Sequence, residues 1–177
     1  MKVLVFGKTG QVAQELARDP RVLCLSRAEA ELTNPDACAQ AILHANPDAV
    51  INAAAYTAVD RAESEEELAT TINGHAPGAM ARACARAGIP FVHLSTDYVF
   101  DGSGDTAHSR NTPPAPINAY GRSKRLGEIE ILASEARAII LRTSWVFSPH
   151  GANFVKTMLR LSQSHASLKI VDDQIGG

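Results

Sequence analysis

Short apolar runs alternate with helical stretches along the 177-residue chain, and this alternation limits the fold more than any other feature. The runs at 2–6, 21–25, 49–52, 91–95, 138–143 and 168–171 read as strands. The stretches at 11–18, 35–44, 63–87, 119–133 and 153–162 read as helices, the third of them interrupted around 73–77 and stopped at Gly88. Asn34 caps the second helix and Pro35 takes its first position, where a missing N–H costs nothing. The strands are continuous in Val, Ile and Leu rather than alternating with polar residues. Such strands are buried on both faces, which is the pattern of a parallel sheet. Parallel neighbours require crossover helices. The expected architecture is therefore α/β: a doubly wound parallel sheet of Rossmann type in a three-layer αβα sandwich.

Composition narrows the function classes. Hydrophobic residues make up 45% of the chain and charged residues 20%, enough apolar material for a folded core. Lys and Arg number 17 against 19 Asp and Glu, for a net charge of −2. With no basic excess to neutralise a phosphate backbone, nucleic acid is not an expected partner. No apolar run is long enough to span a bilayer, and Gly7 cuts short the only apolar stretch near the start. The expectation is a soluble, cytoplasmic protein with no membrane partner. Cys24, Cys38 and Cys84 form no C-x-x-C and read as buried, inert thiols. The six histidines show no ligand spacing, so no metal site is expected. The acidic run Glu63, Glu65, Glu66 and Glu67 reads as a solvated helix face.

Gly7-Lys8-Thr9-Gly10-Gln11-Val12-Ala13 lies between the first strand and the first helix. Gly7 permits a tight turn, and Gly10 lets backbone approach a pyrophosphate. The helix start then offers free N–H groups. In this position the motif points to a dinucleotide, with a plain strand-to-helix glycine turn as the alternative. The second strand ends at Ser26-Arg27, where NAD-selective sites carry an acid. An arginine there suits a 2′-phosphate and favours NADPH over NADH; a solvated surface arginine is the other reading.

Tyr120 and Lys124 stand four apart at the start of a helix, hence on one face. An ammonium near a phenol lowers its pKa and readies it for proton transfer. Ser95-Thr96 ends the fourth strand, where a hydroxyl can stabilise an oxyanion formed on hydride attack. A hydroxyl that merely caps the next turn is the alternative. The polar loop at 101–118 has the length of a functional loop.

These motifs resemble those of the extended short-chain dehydrogenase/reductases. The match is carried by FGKTGQVAQEL at 6–16, NAAAYTAVDRAE at 52–63, STDYVFDG at 95–102, PINAYGRSK at 116–124 and LRTSWVF at 141–147. NFVKTMLRL at 153–161 and VDDQIGG at 171–177 continue it. The resemblance implies that Tyr120 protonates a carbonyl oxygen, Lys124 tunes it and binds ribose, and Thr96 polarises the carbonyl. It places Gly10, Gln11 and Val12, with Gly7 and Thr9 in the same turn, at the pyrophosphate. Ser26 and Arg27 fall near the adenosine ribose, and Glu31 and Leu32 near the adenine. Ala53, Ala54, Ala55, Tyr56 and Thr57 lie along the cofactor, the last three on its nicotinamide side. Thr96, Asp97 and Trp145 face a sugar nucleotide. The implied reaction is NADPH- or NADH-dependent reduction of the C4 keto group of a dTDP-linked 4-keto-6-deoxy sugar. Two other readings stand beside it: another sugar-nucleotide reductase or epimerase of this class, and a non-catalytic NADP-binding regulatory subunit.

Members of this class are longer than 177 residues. The expectation is one domain over 1–177 that carries the cofactor site and the catalytic set, with most of a C-terminal substrate lobe missing. Reduced activity, exposed apolar surface and self-association into a homo-oligomer are expected to follow.

Overall fold

The computed structural model describes residues 1–171. Five parallel strands form one sheet in the order β2-β1-β3-β4-β5. They are β1 (Val3–Phe6), β2 (Val22–Leu25), β3 (Ala49–Asn52), β4 (Phe91–Thr96) and β5 (Ala138–Thr143). The helices are α1 (Gln11–Leu16), α2 (Pro35–Ala45), α3 (Val59–Ala62), α4 (Glu66–Thr70), α5 (Ala76–Ala87), α6 (Ala119–Ala133) and α7 (Phe154–Ser162). A π turn, Thr71–His75, joins α4 to α5, and a 3-10 turn, Asp97–Val99, follows β4.

The β1 sequence VLVF is buried throughout because successive side chains serve opposite faces. Leu4 and Phe6 join Val50 and Phe91 in a core covered by α2, α5 and α6. Val3 and Val5 pack with Cys24 and with Ala13 and Leu16 of α1 on the other face. On β5 the alternation leaves Ile139 and Leu141 exposed by 58% and 45%. The doubly wound parallel sheet is thus as expected, and the chain reverses its direction of strand addition between β1 and β3. That reversal opens a crevice at the carboxyl ends of those strands.

Two expectations are corrected. Residues 168–171 form no strand; Ile170 and Val171 lie exposed by 53% and 69%. An apolar run becomes a strand only when a ladder partner takes its backbone groups, and these residues have none among the described residues. The interruption at 73–77 is no break either. The π turn passes directly into α5, with Pro77 in the first turn of that helix. Asn73 accounts for the bulge. Its amide bonds both ways to the Tyr56 backbone, at 2.8 and 3.0 Å, and α6 comes so close that a Cβ at Gly127 would strike the Asn73 carbonyl. The start and stop signals of α2 and α5 behave as expected. Asn34 accepts from Ala37 N–H, and Gly88 ends α5 with φ +69.

Candidate active site

The glycine turn sits in the crevice. Gly7 has φ +100, and a Cβ there would fall 2.9 Å from Ala54 N. A Cβ on Gly10 would lie 3.2 Å from Gly7 O. Only glycine lets the β1 turn approach the β3 turn this closely. Gly7 and Lys8 donate to Leu25 O at the end of β2, and Ala53 N–H donates to Phe6 O. The turns carrying Gly7, Ser26 and Ala53 are therefore brought together. Gly10 caps α1 with no side-chain bond, which leaves the backbone N–H groups of the first turn available.

The remaining cofactor candidates divide. Thr9 contributes its carbonyl to Gln14, and Gln11 Oε1 accepts from Asn153 at the start of α7. Val12, Ala55 and Leu32 are half-buried, and Thr57 is exposed. Tyr56 turns towards α4, where its hydroxyl donates to Glu65 at 2.6 Å. Ser26 donates to Glu29. Arg27 and Glu31, read separately in the sequence, are paired: Nε donates to both carboxylate oxygens, at 2.9 and 3.0 Å.

A second cluster ends β4. Thr96 Oγ1 donates to Asp97 at 3.0 Å and accepts from Tyr98 N–H at 3.2 Å. Tyr120, in the first turn of α6 behind the Asn118 cap, meets the Tyr98 ring edge-on at 5.5 Å. Thr96 thus bonds both Asp97 and the Tyr120 hydroxyl, and Lys124 lies one turn further along α6. Trp145 lies on the loop after β5, two residues beyond Thr143, which pairs with Thr96 in the ladder. It is 52% exposed, packs edge-on against Phe154, and holds φ +52, a left-handed conformation unusual for a bulky residue.

The electrostatics depart from expectation. Burial raises the Tyr120 phenol, partly offset by its hydrogen bond with Thr96, while Asp97 and Tyr98 raise it further. Lys124 does not lower it. The Lys124 ammonium group is buried and directed to β4, where it donates to Leu94 O at 2.7 Å and lies 3.4 Å from His93 Nε2. Burial lowers Lys124 to about 8, with Glu128 opposing. A raised phenol stays protonated at neutral pH, which suits a proton donor.

Sequence reasoning missed several residues that hold this cluster. Asn73 bonds Ser123 on α6 at 3.0 Å, and Glu63 accepts the Ala119 N–H. Glu128 accepts from Ser95 beside Thr96 at 2.7 Å. Arg142 stacks over Phe100, which stacks on His108 in the long loop. An open cleft of about 940 Å³ lies between that loop and the end of β5; of the predicted site residues it takes in Asp97. A polar residue inside a strand or helix pattern is the signal for Asn73, Glu128 and Arg142; Glu63, read in the sequence as part of a solvated helix face, also ties down the start of α6. Among the described residues, no group of three or more His, Cys, Asp or Glu is placed to hold a metal, and no helix is long and apolar enough to cross a membrane.

Residues 1–177 match the family described as the RmlD substrate binding domain. The chain belongs to that family. A dTDP-4-dehydrorhamnose reductase of Burkholderia thailandensis is 48% identical over 99% of this chain and 60% of its own length. A crystal structure of a dTDP-4-dehydrorhamnose reductase from Clostridium acetobutylicum superposes with a TM-score of 0.93 at 36% identity, over 98% of this chain and 64% of that one. A Bacillus anthracis dTDP-4-dehydrorhamnose reductase, solved in complex with NADP, gives 0.88 at 36% identity, over 93% of this chain and 61% of that one. The chain thus spans about three-fifths of the length of these RmlD-family relatives.

Proposed function

We propose that residues 1–177 are the NAD(P)H-binding domain, carrying the catalytic residues, of a cytoplasmic enzyme that reduces dTDP-4-dehydro-L-rhamnose at C4 to dTDP-L-rhamnose. The observation that carries this reading is the assembly of Thr96, Tyr120 and Lys124 at the carboxyl end of β4, in the same sheet as a glycine turn at the strand-order reversal. The names of the relatives support the substrate, and the NADP in one of them supports the cofactor.

The residues fit a dinucleotide. The Gly7–Gly10 turn leaves a cradle that a Cβ would fill, and the first-turn N–H groups of α1 carry no side-chain cap. When bound, the reduced nicotinamide supplies the hydride. Thr96 donates to the carbonyl oxygen of the substrate and stabilises its developing charge. Tyr120, held protonated by burial, gives its proton to that oxygen. Lys124 binds the ribose and fixes its orientation. Asp97 and Trp145 border the sugar nucleotide, which serves the cytoplasmic supply of polysaccharide precursors. The buried free thiols of Cys24, Cys38 and Cys84 suit that reducing compartment. The exposed Ile139, Leu141 and Phe154 supply apolar surface for self-association into a homo-oligomer.

The test is NADPH oxidation by the protein with dTDP-4-dehydro-L-rhamnose, read by absorbance. Turnover to dTDP-L-rhamnose is expected. Cofactor binding without turnover by the full-length protein points instead to a regulatory subunit.

A further inference from the structure

Three polar side chains cross the apolar interior beneath the site, and the reaction as proposed uses only the last. Asn52 ends β3, His93 lies inside β4 and Lys124 is on α6; all three are buried. Groups so deeply buried must be matched donor to acceptor, and the matching fixes where the protons are. It begins at the backbone. Ala54 N–H donates to Asn52 Oδ1 at 3.1 Å, so the amide oxygen faces the β3 turn. The Asn52 NH2 therefore faces His93 Nδ1, at 3.1 Å. That NH2 only donates, so Nδ1 accepts and the neutral imidazole keeps its proton on Nε2. Nε2 lies 3.4 Å from Lys124 Nζ. An ammonium there sets two donors head to head, whereas a neutral amine offers a lone pair. The bond from Nζ to Leu94 O serves either form.

We propose that His93 is a positioning residue for the Tyr120–Lys124 pair: fixed as the Nε2–H tautomer by Asn52, it points a donor at Lys124 Nζ and so disfavours the ammonium until a bound ligand offers acceptors to it. In the function proposed above, on which this identity rests, the acceptors are the ribose hydroxyls of the cofactor. The string then runs in one donor direction from the Ala53–Ala54 turn at the cofactor crevice to the lysine. His93 does not take a second proton, because burial pushes it well below the usual histidine range, and the Lys124 charge adds to this whenever that lysine is protonated. Burial lowers Lys124 in the same direction.

Other charged groups around α6 are engaged elsewhere. Glu128, on the same helix, favours the ammonium but is taken by Arg125 and by Arg142 of β5. Asp97 of the 3-10 turn receives Thr96, and Arg61 of α3 pairs with Glu65. Glu66 of α4 pairs with Arg122, while His75 of the π turn and Arg82 of α5 pair with Glu130.

The test is NMR of the intact protein without cofactor or substrate, so failure of the reductase reading leaves it unaffected. Nitrogen-15 histidine spectra report the His93 tautomer, assigned by the signals lost in His93→Gln. Carbon-13 lysine spectra report the Lys124 titration, assigned by the signal lost in Lys124→Met. Expected are an unprotonated Nδ1, a protonated Nε2, and a Lys124 midpoint near 8. In Asn52→Asp the carboxylate still accepts from Ala54 N–H and now accepts from Nδ1–H, turning Nε2 into an acceptor. The Lys124 midpoint is then expected to rise by about one pH unit or more, with the tautomer reversed. A wild-type Nδ1–H tautomer overturns the proposal. So does an unmoved midpoint in Asn52→Asp, or a rise without the tautomer switch. If Asn52→Asp does not fold, the wild-type tautomer alone decides.

Discussion

Arg142 of β5 grips Glu128 of α6 with two parallel bonds, Nε to Oε1 at 2.8 Å and Nη2 to Oε2 at 2.7 Å. The carboxylate is 1% exposed and also receives Ser95 and Arg125. It therefore ties β5 and α6 to the strand end that carries Thr96. Burial pushes Glu128 up, but the bonds from Arg142, Ser95 and Arg125 outweigh it and hold the group below the usual range. A lowered carboxyl contributes stability above its unfolded pKa and loses it as pH falls through the folded value. Glu128→Ala is expected to cost about 3 kcal/mol at neutral pH, because Arg142 is left half-buried without its partner. Denaturant unfolding across the acid range checks this, and the Glu128→Ala curve should fall less steeply below the glutamate range than the wild type.

Tyr120→Phe removes the proton donor but keeps the ring that packs against Tyr98. On the proposed function, turnover falls about a hundredfold or more, the usual contribution of a positioned acid. Cofactor affinity stays within about twofold, since the hydroxyl serves the carbonyl and not the pyrophosphate. Steady-state turnover and cofactor titration separate the two. Unchanged turnover removes Tyr120 from the proton-donor role.

What was legible in the sequence depended on how local the cause was. Asn34 before Pro35 placed the start of α2, and the β5 range emerged from its apolar run, because each signal lies within a few residues. The glycine turn was legible for the same reason. Lys124 was not: its contacts, Leu94 and His93, lie 30 and 31 residues away. The sequence view therefore set the ammonium against Tyr120, its neighbour on the helix. The π turn was misread because Pro77 suggests a break, while the bulge comes from Asn73 bonding a loop 17 residues earlier. The unformed strand at 168–171 failed on the same ground, since hydrophobicity is local and pairing is not.

The two glycines of the turn should respond differently to alanine. Gly7→Ala meets both a left-handed φ and the Ala54 backbone at 2.9 Å. It is expected to lose about 2 kcal/mol or more of stability. Gly10→Ala has ordinary backbone angles, φ −76 and ψ 156, and a Cβ 3.2 Å from Gly7 O, which the turn accommodates by giving a few tenths of an ångström. It should fold with a stability change under about 1 kcal/mol, yet bind NADPH about tenfold or more weakly, because the methyl occupies the approach of the pyrophosphate. Thermal unfolding and cofactor titration of both variants distinguish strain from obstruction.

The Arg27–Glu31 pair sets a test of cofactor preference. Arg27 is exposed, and its bond to Glu31 lowers that carboxyl. Glu31 thus competes with a 2′-phosphate for the guanidinium. Arg27→Ala is expected to weaken NADPH by about tenfold while leaving NADH within about twofold. Glu31→Gln should move the ratio the other way, towards NADPH. Equal effects of Arg27→Ala on the two cofactors would remove Arg27 from the phosphate site.

Lys124 predicts a pH signature that needs no substrate. Its folded pKa is about 8, lowered chiefly by burial, against 10.5 for a free lysine. Below the folded value both states hold the proton, and the folded state bears the cost of a buried charge. Between the two values the unfolded chain holds more protons than the folded one. Stability from this group therefore rises with pH through that window. The full difference corresponds to about 3 kcal/mol. Lys124→Met lacks the titration, so its stability minus that of the wild type should fall as pH rises from 8 towards 10.5. Taking the difference cancels the thiols of Cys38 and Cys84, which burial raises to about 11 and 12 and which pull stability the opposite way. Parallel unfolding of both proteins across this range is the measurement, and a difference constant with pH would show that Lys124 does not titrate in the window.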